Sequence, residues 1–207
     1  MIRAPHERAI AGPAADFAAT LAALVPVIET ARLRLRAPRL DDFDVWAEIF
    51  TGPAGTHLGG PFTRDAAFTD FSATVGLWLL RGHGVWTVEP KSDGAPLGFV
   101  LIGFEPGDQG PELGYLIRPS AEGQGYATEA AAALRDHAFA ALGMARLVSY
   151  IDPANSGSIR VAERLGAVLD GVFDGAQVWL HRPASQTPSH TLAIHKADAQ
   201  QTSQRGD

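Results

Sequence analysis

Residues 112–130, ELGYLIRPSAEGQGYATEA, carry the side chains and glycines best suited to chemistry. A segment with apolar alternation runs into Arg118-Pro119, Gly123 and Gly125 follow in a short loop, and a helical pattern begins at Gln124. Glycines at a strand-to-helix corner let main-chain N–H groups approach a ligand closely. The first helical turn adds unpaired donors and a partial positive charge. Gly123, Gln124, Gly125, Tyr126, Ala127 and Thr128 therefore make a candidate cradle for a phosphate or diphosphate. The same glycines would also serve merely to turn the corner. No GxxxxGK[ST] run occurs, and Thr128 stands where a dinucleotide fingerprint needs its third glycine.

Composition narrows the chemistry further. Cysteine is absent, which removes disulfides, thiolate metal sites and a cysteine nucleophile. The formal charge is −6, so the net basic face expected of a phosphate-tracking nucleic-acid binder is missing. No stretch approaches the ~18–20 apolar residues of a membrane span. Arg3 and Arg8 precede an apolar run over residues 17–28, the order of a secretory signal, but Glu7 and Asp16 dilute the basic part and Pro26 breaks the run. A short amphipathic leader helix and a cytoplasmic protein are the expectation.

The elements that must position the corner follow from periodicity. Residues 30–37 alternate as a half-buried strand. Helices are expected over residues 41–50 and 63–80, the second with Phe68, Phe71 and Trp78 as core. Strands follow at 85–89, 97–104 and 112–118, then a helix over 124–142, a strand at 147–151, a helix over 155–166 and a hairpin of 168–173 with 177–181. This order predicts one α/β (α+β) layer and excludes a doubly wound dinucleotide fold. Residues 1–28 are expected to form a helical or mobile leader and residues 184–207 a mobile tail around a domain at 29–183.

Four blocks in order resemble the GNAT superfamily of N-acetyltransferases, and within it the Rim-type ribosomal-protein alanine and serine N-acetyltransferases. They are ETARLRLRAPRLDD at 29–42, HLGG at 57–60, GQGYATEA at 123–130, and NSGS at 155–158 followed by ERLGA at 163–167. The superfamily pattern is Gln/Arg-x-x-Gly-x-Gly/Ala. Gly125 and Ala127 match it, and Glu122 departs from it. The resemblance implies a single mixed sheet of about seven strands, flanked by about four helices, with one strand splayed to receive acetyl-CoA.

It also implies the reaction, transfer of an acetyl group from acetyl-CoA to a primary amine without a metal. The acceptor would be a protein N-terminus or a small-molecule amine. A catalytically silent CoA-binding module is the rival. Neither nucleic acid nor membrane would be a partner, and the chain would be a monomer or homodimer. Tyr115, Leu116 and Ile117 would line the pantetheine arm and place an N–H on the carbonyl oxygen. Residues 123–128 would hold the diphosphate, and Asn155 and Ser158 would reach the pantetheine or sulfur. Many GNAT enzymes carry an acidic tyrosine at the place of Ala162, which leaves Ser158 as hydrogen-bond donor to the thiolate. Glu112, acting through a water, is the candidate base, with His57 next and His83 and His137 behind it. Glu129 reads as a structural partner of the helix dipole.

Overall fold

The computed structural model describes residues 3–183; the tail expected at 184–207 lies outside the described residues. One eight-stranded sheet runs in the order β1-β2-β3-β4-β5-β6-β8-β7. The strand expected at 30–37 is β2 (Leu33–Arg36), and β1 (Ile28–Glu29), which begins in the stretch expected as leader, gives the sheet one strand more than expected. Thr30 makes the turn between them, its main-chain N–H donating to the Leu33 carbonyl at 3.0 Å and its hydroxyl accepting from the Leu33 N–H at 2.8 Å.

Strands β2, β3 (Val85–Pro90), β4 (Gly98–Gly103) and β5 (Glu112–Ile117) form an antiparallel meander. Beyond them, β6 (Leu147–Ile151) pairs antiparallel with β8 (Ala176–His181), which pairs with β7 (Val168–Phe173). The two halves meet where β5 and β6 run parallel, and there the register holds a single pair, Glu112 with Val148.

One face is covered by α2 (Phe43–Thr51) and α3 (Arg64–Arg81), the other by α4 (Tyr126–Ala140) and α5 (Ser156–Arg164). Alanine suits α4 to close packing: Ala130, Ala131, Leu134 and Ala138 are fully buried against Trp86, Val100 and Leu113. The aromatic face expected of α3 is confirmed, since Phe71 is buried with Phe43, Trp46 and Phe99, and Phe68 packs beside them. Trp78 instead packs edge-on against Trp86 beneath α4.

The leader helix α1 (Pro13–Leu24) has no buried residue. The residues before it dock firmly. Glu7 is 2% exposed and pairs with Arg64, while Arg3 and Arg64 both bind Asp44. Among the described residues no helix is long and apolar enough to cross a membrane.

Candidate active site

Past Glu112 and Val148 the strands β5 and β6 separate. Parity along β5 determines which groups face the gap. Arg118 N–H donates to Leu97 beside β4, whereas the carbonyls of Pro111 and Leu113 accept from Val148 N–H and Ser149 Oγ beside β6. Residues of the second parity, Tyr115 and Ile117 among them, therefore turn their main-chain groups into the opening. Leu116 turns its own toward β4 and offers its side chain to the α2 and α3 face. A cleft of about 490 Å³ occupies the splay, reached by Glu112, Tyr115, Leu116, Asn155 and Ser158.

The glycine corner lies at the end of the same strand. Gly123 and Gly125 have φ of +73° and +81°, the left-handed region that side chains rarely adopt. Gly125 caps α4, and the N–H groups of residues 123–128 donate to no main-chain or side-chain acceptor among the described residues. Buried Thr128 Oγ1 in the same turn is also without a partner. Adjacent free donors on a helix N-terminus fit a diphosphate. The non-matching Glu122 is exposed and stands outside that donor run.

Asn155 caps α5, its Oδ1 accepting from the Ser158 N–H at 3.0 Å. The Ser158 carbonyl accepts from Tyr115 Oη at 2.8 Å. Burial, and then the Glu112 charge, hold the Tyr115 phenol above its ordinary range, so it stays protonated. Ala162, where many family members place their tyrosine, is fully buried, so the phenol near α5 comes from β5 instead. From the sequence, Tyr115 is a candidate through its main chain alone. Nothing in the local pattern signals the side chain's role, which arises from packing across the splay.

Glu112 faces the cleft and is pushed up to about 7, first by burial and then by the charges of Asp108 and Glu105, against a hydrogen bond from the Tyr150 N–H. Asp70 also borders the cleft and is raised by burial and by Glu105. His57 reaches the cleft as well, and its Nδ1 lies 2.7 Å from Asp152 Oδ2 at the end of β6. The His57 hydrogen bond holds Asp152 below the usual carboxylate range. Asp152 was not legible in the sequence because its partner is 95 residues away.

His83 is buried with Nδ1 at 2.8 Å from the Ile102 carbonyl, and His137 packs against Trp86, so neither lines the cleft. Glu129 does more than face a helix dipole. It accepts from Thr30 Oγ1 at 2.6 Å, from Arg32 N–H at 3.0 Å and from Arg32 Nε at 2.7 Å, and so fastens the β1–β2 turn to α4.

Residues 32–168 match the family model described as the acetyltransferase (GNAT) domain. The crystal structure of the acetyltransferase from Agrobacterium tumefaciens str. C58 is 35% identical and superposes with a TM-score of 0.73 over 77% of this chain and 95% of its own. An N-acetyltransferase of Bacillus subtilis, YnaD, is 31% identical over 148 residues, 70% of this chain and 85% of that protein. The match to YkkB of Bacillus subtilis is shorter and spans about half of that protein, 52%. The fold is shared with Mycobacterium smegmatis RimJ in complex with CoA-disulfide, at 21% identity and a TM-score of 0.62 over 80% and 90% of the two chains. With this fold, this splay and these relatives, the chain belongs to the GNAT family of acetyl-CoA-dependent N-acetyltransferases, with Rim-type enzymes among its structural neighbours.

Proposed function

We propose that this chain moves the acetyl group of acetyl-CoA to a primary amine in the cleft between β5 and β6, and that the acceptor is a protein N-terminus. The observation that carries the reading is the single-pair junction of β5 and β6, with the unpaired N–H groups of residues 123–128 following the C-terminal end of β5. The diphosphate rests on those groups and on Thr128. The pantetheine arm adds along Tyr115 and Ile117 as an extra strand would. The N–H of Ile117 or Tyr115 meets the carbonyl oxygen as charge gathers there.

The amine must be neutral to attack, and a free α-amine has a pKa near ~7.7–8. Glu112, poised near neutrality, takes that proton through a water. The C–N bond then forms, the C–S bond breaks, and the proton shed by the acylated nitrogen passes to the departing sulfur, so that the amide and the CoA thiol leave; the Ser158 hydroxyl donates a hydrogen bond to the thiolate until that proton arrives. The place of Asn155 as the cap of α5 and of Ser158 in its first turn, both lining the cleft, supports this role. A protein acceptor is supported by the Rim-type neighbours, among them a putative ribosomal-protein-serine acetyltransferase from Vibrio cholerae at 26% identity. The uncompensated carboxylates of Asp70, Glu105 and Glu112 at the cleft suit an acceptor that arrives as an ammonium.

Calorimetric titration of CoA and acetyl-CoA, followed by thiol release against a panel of peptides and small amines, tests the proposal. Micromolar binding and turnover on peptides are expected. Absence of binding at millimolar ligand removes the cofactor assignment. Binding without thiol release on any amine would leave a CoA-binding module instead. Turnover confined to small amines would replace the protein acceptor.

A further inference from the structure

Arg32 sits in the β1–β2 turn, far in sequence from the glycine corner, yet its guanidinium lies over it. Nη1 donates to the Gln124 carbonyl at 3.1 Å, Nε donates to Glu129 at 2.7 Å, and the guanidinium carbon is 4.7 Å from the centre of the Tyr126 ring. Nη2 takes no part in those bonds. It lies 3.5 Å from the point where a Cβ on Gly125 would stand, and half of the side chain is open to solvent. Three of the residues it touches, Gln124, Gly125 and Tyr126, belong to the cradle.

Two consequences follow from this geometry. Holding the Gln124 carbonyl turns the acceptor end of that peptide toward a cation, which leaves the N–H ends of the corner free for an anion. Glu122 occupies the place where the pattern of the loop would bring a basic or amide side chain, and it is exposed. The loop's own sequence thus contributes no cation, and the β1–β2 turn delivers one. Glu129 neutralises part of the charge while fixing the Nε edge of the fork. The Nη2 edge remains available for charge-assisted bonding to a phosphate oxygen.

We propose that Arg32 completes the diphosphate site of this chain, holding the Gln124–Gly125 peptide in place and presenting Nη2 to the anion. The inference rests on the CoA reading above and adds to it a residue outside the glycine loop. It also gives the Arg32–Glu129 pair a purpose beyond joining two elements.

The test is calorimetric binding of CoA and of pantetheine, which lacks the nucleotide diphosphate, to the wild type, Arg32→Gln and Arg32→Lys, each checked by thermal melting. Arg32→Gln is expected to weaken CoA about tenfold or more and to leave pantetheine within twofold, as loss of a charge-assisted contact requires. Arg32→Lys keeps the charge without the fork and is expected to fall between. CoA affinity unchanged in Arg32→Gln overturns the proposal. An equal loss for CoA and pantetheine also overturns it, because a purely structural role would weaken both. Should Arg32→Gln melt below the assay temperature, Arg32→Lys decides by the same comparison of the two ligands. A wild type that binds neither ligand would instead strike down the parent reading, and this one with it.

Discussion

Glu112 is a carboxyl whose surroundings oppose its charge, and that makes its titration visible in two independent ways. Its pKa is pushed up to about 7 from an ordinary 4.5 by burial and by Asp108 and Glu105. As a base it works only when ionised, so kcat/KM should rise with pH through an apparent pKa near 7. Glu112→Gln should lower turnover by roughly 10²-fold or more and flatten that limb. The same shift has a stability consequence with a fixed sign. A group that holds its proton more tightly when folded favours the fold below its unfolded pKa, and that contribution is lost as pH rises through the folded one. Wild type should therefore lose melting temperature relative to Glu112→Gln between about pH 4.5 and pH 7. A rate profile with its limb intact in Glu112→Gln would remove the residue from catalysis, whatever the melting curves do.

Between elements, a hydrogen-bonded strut stands at the apex of the splay. Ser149 Oγ donates to the Leu113 carbonyl at 2.6 Å and therefore accepts from His181 Nε2 at 3.0 Å, joining β5, β6 and β8 where the first two part. Burial pushes His181 down to about 4, so the ring is neutral with its proton on Nε2, and its buried Nδ1 has no partner. Ser149→Ala leaves the Leu113 carbonyl and the ring unpaired and should cost ~1–3 kcal/mol. It should also raise KM for acetyl-CoA, because β5 is then free to close the gap. A melting curve and KM identical to the wild type would deny the strut its role. The glycine corner, the strand before it and the helix after it were legible in residues 112–142, because local periodicity and turn chemistry specify them. The four-block resemblance supplied the splay. Ser149, His181, Asp152 and the Arg32 fork were not legible, since each acts on a partner 30 or more residues away and none departs from its local pattern. The arginine of residue 32 read as the solvated face of a strand, and only the turn at Thr30 lifts it over α4.

Across the whole molecule, charge is distributed unevenly for a chain of net −6. Away from the cleft, Glu7, Glu29, Asp41, Asp42, Asp44, Glu48, Glu89, Glu129 and Asp136 lie in ion pairs with arginine or lysine, and Asp16, Asp65, Asp93, Glu122, Glu163 and Asp170, which lie in none among the described residues, are scattered. Around the cleft, Asp70, Glu105, Asp108 and Glu112 make no ion pair among the described residues, and Asp152 has only His57. Repulsion within this group helps to raise both Asp70 and Glu112. In the proposed reaction the cluster would do two things at once: draw an ammonium toward the cleft and keep Glu112 a base strong enough to deprotonate one. The double variant Glu105→Gln, Asp108→Asn separates these from binding of the acyl donor. The Asp108 carboxylate accepts from the Glu105 main-chain N–H at 2.6 Å, and the amide that replaces it keeps an oxygen for that bond, so the turn should survive. With two like charges gone, the acid limb of kcat/KM should move to lower pH, since their repulsion raised it. KM for a cationic amine should rise at low salt, where the lost attraction is least screened. Affinity for CoA, whose proposed diphosphate site is residues 123–128 at the other end of β5, should stay within twofold. A limb that stays in place would mean that burial alone sets the Glu112 proton, and a parallel loss of CoA affinity would mean that the two ends of the cleft are not independent.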